Sequence, residues 1–154
     1  MKKFICVSPH QPPERFSKGI YKAVDNDKLI YESETGFPVI PAINGYAEAN
    51  EEIEVITVVS DYDNAKKNYE TFKDEINELA EKKNIKVKQV PITIPYDESI
   101  DTQLKMFSNL IDCTSDDDEL YCDITYGTKV MSQILTMNLS SQAKIYATGF
   151  VNWK

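Results

Sequence analysis

The sequence predicts an α/β protein built on a mainly parallel sheet with helices on both faces. Two observations carry that prediction. Strand-length apolar runs alternate along the chain with stretches of helical periodicity, the order expected of βαβ units. The first run, Phe4-Ile5-Cys6-Val7, is continuously apolar, as strands covered on both faces are. At 154 residues, with no internal repeat and no low-complexity linker, the chain is expected to form one domain over 1–154.

Residues 2–8 read as the first strand, and the prolines of 9–13 break it. The stretch 14–36 has no clear period; within it, 20–24 and 29–31 suit a hairpin across Asp25-Asn26-Asp27-Lys28. Val39, Ile40, Ile43 and Tyr46 then recur at helical spacing over 37–49, with Pro38 and Pro41 suited to the first turn. A second strand, 54–59, ends at Ser60-Asp61. The strongest helix starts near Asp63, where Ala65, Tyr69, Phe72, Ile76 and Leu79 form an apolar stripe. Asp61 or Asp63 is expected to cap it, and Asn84 marks its end.

Residues 85–94 form the next strand, with Pro91 and Pro95 pointing to an edge or a bend. Asp97 or Ser99 then caps a helix expected to bury Ile100, Leu104, Phe107 and Leu110 or Ile111. Ser115-Asp116-Asp117-Asp118 reads as a solvated turn, and the pair Glu51-Glu52 as loop charge. A strand over 120–125, a helix over 127–139 carrying Val130, Met131, Ile134 and Leu135, and a last strand over 143–151 close the pattern.

Composition narrows the function. With 25 acidic against 17 basic residues the net charge is -8, which argues against duplex DNA or long RNA as a partner. No apolar run approaches a membrane span and the first residues lack a secretory pattern, so no membrane association and a cytoplasmic setting are expected. Cys6, Cys113 and Cys122 are widely spaced and contain no C-x-x-C pair, so no metal site is expected. Cys6 and Cys122 read as buried small hydrophobes. No cofactor is implied, because neither G-x-x-x-x-G-K-[ST] nor G-x-G-x-x-G follows any strand.

In open parallel sheets ligands bind beyond the carboxyl ends of the strands. Three exits are therefore candidates: Ser8-Pro9-His10-Gln11, Ser60-Asp61-Tyr62, and the stretch Asp123-Ile124-Thr125-Tyr126-Gly127-Thr128-Lys129. The last is the most informative. A strand, then small polar residues with one Gly and one Lys, then a helix, is the order that builds an anion site. Gly127 allows close backbone approach, the helix start offers free N–H groups, Lys129 adds a cation, and Thr125 and Thr128 add hydroxyl donors. On these residues alone a tight turn with a solvent-facing Lys fits equally well. His10, the one histidine of the chain, is either an exposed loop residue or a contact and acid–base group at the sheet edge. Tyr62, Tyr126 and Trp153 are each open to base stacking or to packing.

The Asp-x-Thr-x-Gly-Thr-Lys stretch, followed by Met131-Ser132, resembles the signature of the CARF domain, the Rossmann-like ligand-sensing module of type III CRISPR antiviral systems. The likeness extends more loosely over the order of elements, including Ser8 at the first strand's end and the helix of Asn64-Ala65-Lys66-Lys67-Asn68-Tyr69. It implies a homodimer that binds a cyclic oligoadenylate, first of all the tetra-adenylate, across its two-fold axis. It implies that Thr125, Gly127, Thr128 and Lys129 contact the ligand's phosphates and ribose, as do Ser8 and its neighbours Pro9, His10 and Gln11, with Asp123 orienting the loop rather than touching phosphate. Ser60, Asp61 and Tyr126 join the expected ligand-binding set from their places at the strand exits. Larger members carry a fused effector, often a HEPN ribonuclease with an Arg…His pair. Arg15 and His10 precede the fold here, outside that context. A sensor domain, with an effector fused elsewhere or separate, is therefore expected. The alternative is a stand-alone, metal-independent ring nuclease leaving linear products with 2′,3′-cyclic phosphate ends.

Overall fold

The computed structural model describes residues 1–140 and 145–148. Five strands, β1 (Lys2–Val7), β2 (Glu52–Ser60), β3 (Lys86–Ile94), β4 (Glu119–Asp123) and β5 (Ile145–Thr148), form one sheet in the order β3-β2-β1-β4-β5. Every neighbouring pair is parallel. Four helices connect them: α1 (Val39–Tyr46), α2 (Asp63–Lys83), α3 (Ile100–Asp112) and α4 (Lys129–Ser140). This is the Rossmann-like α/β architecture that the alternation of elements predicts.

Alternate strand residues face opposite layers. Phe4, Cys6, Ile53, Val55, Val59 and Tyr121 pack with α1 and α2, while Ile5, Val7, Ile56, Val58, Leu120 and Cys122 pack with α3 and α4. Strands buried on both faces need apolar residues at successive positions, which is why β1 and β2 read as continuous runs. Cys6 and Cys122 are buried among them. Pro91 sits in β3, the outermost strand on its side, where a missing N–H costs no ladder bond.

The amino edge of the sheet is tied by charge. Lys3 Nζ lies 3.1 Å from Glu54, 3.0 Å from Asp118 and 2.6 Å from the Cys113 carbonyl oxygen. Asp118 also accepts from the backbone and hydroxyl of Ser115 and faces the chain's amino group. The turn expected to be solvated is thus buried at Asp118, because the β1–β4 pairing brings Lys3 over it. Glu51 likewise pairs with Lys2 at 3.1 Å and accepts from the Glu48 N–H.

Three further expectations are corrected. The hairpin in 14–36 does not form; short 3-10 turns occupy Pro13–Arg15 and Asp27–Leu29, and a lone bridge joins Gly19 to Thr35. Asp25 adopts a φ of 59° and Asn26 accepts from the Lys28 N–H, so local turn bonding replaces strand pairing. The segment instead lays Phe16, Leu29 and Tyr31 over the α1–α2 layer. Helix α2 starts after Tyr62 without a side-chain cap, since Asp61 is drawn to Lys66 at 2.5 Å; Asn84 ends it at a φ of 54° as expected. Helix α3, capped by Ser99, turns Thr102, Met106 and Leu110 inward. Ile100, Leu104 and Ile111 are exposed, because the sheet engages the adjacent stripe of the helix. Trp153 and the ends of the expected last strand lie outside the described residues.

Lys3→Ala would leave the Asp118 carboxylate, only 7% exposed, without its lysine partner. The expected loss is about 3 kcal/mol of stability, read from the midpoint of urea unfolding.

Candidate functional site

All strand exits emerge on one edge of the sheet, and three loops meet there. The first, 8–11, is sewn to α2. Ser8 is buried and donates its hydroxyl to the Ala65 carbonyl at 2.7 Å. Asn68, 1% exposed, donates to the carbonyls of Pro9 and Gln11 at 2.9 Å each. Asn64 donates to the His10 carbonyl at 3.3 Å. A polar residue at position 68 interrupts the apolar stripe of α2, and that interruption is the signal by which the sequence marks it.

These bonds aim His10 at the end of β2. Its Nε2 lies 2.8 Å from Ser60 Oγ. Its ring stands edge-on to Tyr62 and Tyr96, and those two tyrosines stack with centroids 4.3 Å apart. Burial holds the His10 pKa below its ordinary value of 6.5, so the ring is neutral at physiological pH and able to accept a proton. Asp61, beside Ser60, faces outward to Lys66.

The third loop leaves β4. The Asp123 carboxylate is 2% exposed and accepts from the Thr125 N–H at 2.9 Å and the Thr125 hydroxyl at 2.5 Å. It also accepts a backbone bond from Val39, at the start of α1. Desolvation nevertheless dominates and pushes its pKa up to about 6, against the pull of those donors. Tyr126 turns away from the edge, donating to the Gly36 carbonyl at 2.6 Å and packing on Phe16. Gly127 has a φ of 96°, and a Cβ there would meet Val7 Cγ1 at 3.1 Å and Met131 Sδ at 3.2 Å. Only glycine takes this conformation without strain. Thr128 then caps α4 by accepting from the Met131 N–H at 3.2 Å. Thr125, Gly127 and Lys129 are exposed, and Lys129 makes no ion pair with the described residues.

Between α3 and α4 this edge opens into a cavity of about 250 Å³. Met106, Met131 and Ile134 form apolar walls, and His10, Ser60 and Thr128 lie on its lining. Of the residues predicted for the site, these last three share one cavity. Thr125, Gly127 and Lys129 stand on the loop that runs into it. Ser8, Pro9, Gln11 and Tyr126 hold the loops in place through bonds to the body of the fold. The sequence reading missed Tyr96, Thr102 and Met106 on the cavity lining, because a cavity between two helices depends on how both pack on the sheet, and it gave Asn68 no site role although its break in the α2 stripe was visible. Among the described residues no cluster of metal-ligating side chains occurs, and no helix is long and apolar enough to cross a membrane.

Fold and site together define a Rossmann-like α/β domain with a glycine turn into α4 beside a largely apolar cavity at its carboxyl edge. No protein-family model matches the chain, and no curated protein is similar to it.

An acid whose pKa rises on folding costs stability once ionised. For Asp123 that cost is absent where the carboxyl is protonated in both states, near 3.8 and below, grows as pH rises and is complete above about 6. Asp123→Asn keeps an acceptor oxygen without the charge. Urea unfolding at about pH 4 and about pH 7.5 is expected to show the stability difference moving in the variant's favour by roughly 2 kcal/mol at the higher pH.

Proposed function

We propose that this chain is a CARF-like sensor domain that binds a cyclic oligoadenylate, the tetra-adenylate first, across the two-fold axis of a homodimer. The observation that carries the reading is the 125–129 loop. Gly127 at a φ of 96° turns the chain straight into α4 and leaves Thr125 and Lys129 exposed beside the cavity. Free N–H groups at the helix start and an unpaired ammonium favour phosphate oxygens. One protomer's cavity of about 250 Å³ is below the roughly 300–1,000 Å³ of ligand-sized pockets. A ring of several nucleotides therefore needs two copies, and a two-fold symmetric ligand suits an isologous pair in which each subunit offers the same loop. The net charge of -8 does not oppose this, because exposed charges beyond about 10 Å are screened at physiological salt.

The test is incubation with cyclic tetra- and hexa-adenylate in chelator, followed by thermal denaturation and chromatography of the nucleotides. Stabilisation with intact ligand supports the sensor; no shift and no cleavage overturns it. Lys129→Ala is expected to weaken binding about tenfold, a typical charge-assisted contact, with an unchanged melting temperature. Unchanged affinity by calorimetry removes Lys129 from the site.

A second reading, the ring nuclease, is favoured by one observation: neutral His10 sits 2.8 Å from Ser60 on the cavity lining. A ribose 2′-oxygen would attack the adjacent phosphorus, His10 taking its proton, while the 5′-oxygen leaves and is protonated from water. The products are linear with 2′,3′-cyclic phosphate ends. In that case His10→Ala lowers the single-turnover rate by about 100-fold or more with binding retained. A rate unaffected by the substitution excludes His10 as the base.

A further inference from the structure

The cavity between α3 and α4 has a chemistry that phosphate recognition does not explain. Its walls are thioether and aliphatic: Met106 from α3, Met131 and Ile134 from α4. Methionine sulfur is polarizable and packs well on flat aromatic rings. At about 250 Å³ the space suits one ring system rather than a whole nucleotide. Tyr96, 54% exposed and backed by its stack on Tyr62, supplies a further aromatic face at the mouth.

The opposite rim is rich in acceptors. The Asp97 carboxylate is occupied by the N–H and hydroxyl of Ser99. Gln103 uses its Nε2 to donate to the Glu98 carbonyl at 2.9 Å, which leaves its amide oxygen as the remaining group. The Glu98 side chain is exposed on the cavity lining and makes no hydrogen bond or ion pair with the described residues. A ring edge that carries an exocyclic amine satisfies such a rim. A ring edge that carries a carbonyl sets acceptor against acceptor.

We infer that this cavity is the subsite for one amine-bearing heteroaromatic ring, adenine in preference to hypoxanthine, with Glu98 as the residue that sets the preference. The inference rests on the nucleotide-binding reading above and names the part of the ligand that the cavity takes.

The experiment uses the full chain labelled with ¹³C at its methionine methyls. Of the four methionines, Met106 and Met131 line the cavity, while Met1 and Met137 do not. Adenosine is expected to move the Met106 and Met131 signals and leave the other two. Inosine should need about tenfold more to do the same, the discrimination typical of a mismatched polar edge. Glu98→Ala, at an exposed position, should bring adenosine to the inosine level without altering the melting temperature. Silent methionines, or equal response to both nucleosides, overturn the assignment. A melting shift with cyclic oligoadenylate but silent Met106 and Met131 ends the subsite and leaves the sensor standing. A selective adenosine response with no oligoadenylate binding does the reverse.

Discussion

Burial of β1 on both faces and both edges is the constraint on which the rest depends. Its neighbours β2 and β4 run parallel to it, and helices cover each side. A parallel sheet of this kind returns every crossover to the same edge and releases every strand at the other. The amino edge is therefore free to be closed by charge, as Lys3, Glu54 and Asp118 close it. The carboxyl edge collects loops whose backbone groups the sheet does not satisfy. That division leaves one end of the molecule suited to stability and the other to recognition.

At the carboxyl edge the polar groups do two kinds of work. Asn68, Ser8 and Tyr126 spend their hydrogen bonds on neighbouring backbone, which fixes where the loops run. Asp123 does the same at greater cost. It gathers donors from Thr125 and from α1, yet its pKa still rises to about 6 because water is excluded. A buried carboxylate that orders a loop carries a desolvation cost when ionised, and a neutral amide avoids that cost. What remains outward is small: Thr125, the Gly127 backbone and Lys129 on one side, and on the other the half-buried His10 with Ser60 buried against it. Fixed loops with few free polar groups make a site that is pre-organised rather than sticky.

The acidity of the chain and the chemistry of this edge are compatible because they act at different ranges. Charges spread over the surface are screened within a Debye length, whereas a single lysine beside a helix start acts within contact distance. Glu98 precedes the Ser99 cap of α3, and Lys129 is the first residue of α4, so under the proposed reading the two ends of one ligand would meet opposite signs. A ring bearing an amine and a phosphate bearing negative charge call for that separation.

Much of this was legible in the sequence. The strand order in the chain, the helix stripes of α2 and α4, the edge position signalled by Pro91 and the glycine turn at 127 all follow from local period and backbone chemistry, which each segment carries in itself. Tertiary structure alone decided the rest. Helix α3 has apolar residues on two stripes, and only its packing chose Met106 and Leu110 over Ile100 and Leu104. Asp118 looked solvated until β1 brought Lys3 across it. His10 and Ser60, fifty residues apart, meet because β1 and β2 are neighbours. The cavity is a gap between two helices, and a gap is a property of how elements sit on the sheet, written in no single segment of the chain.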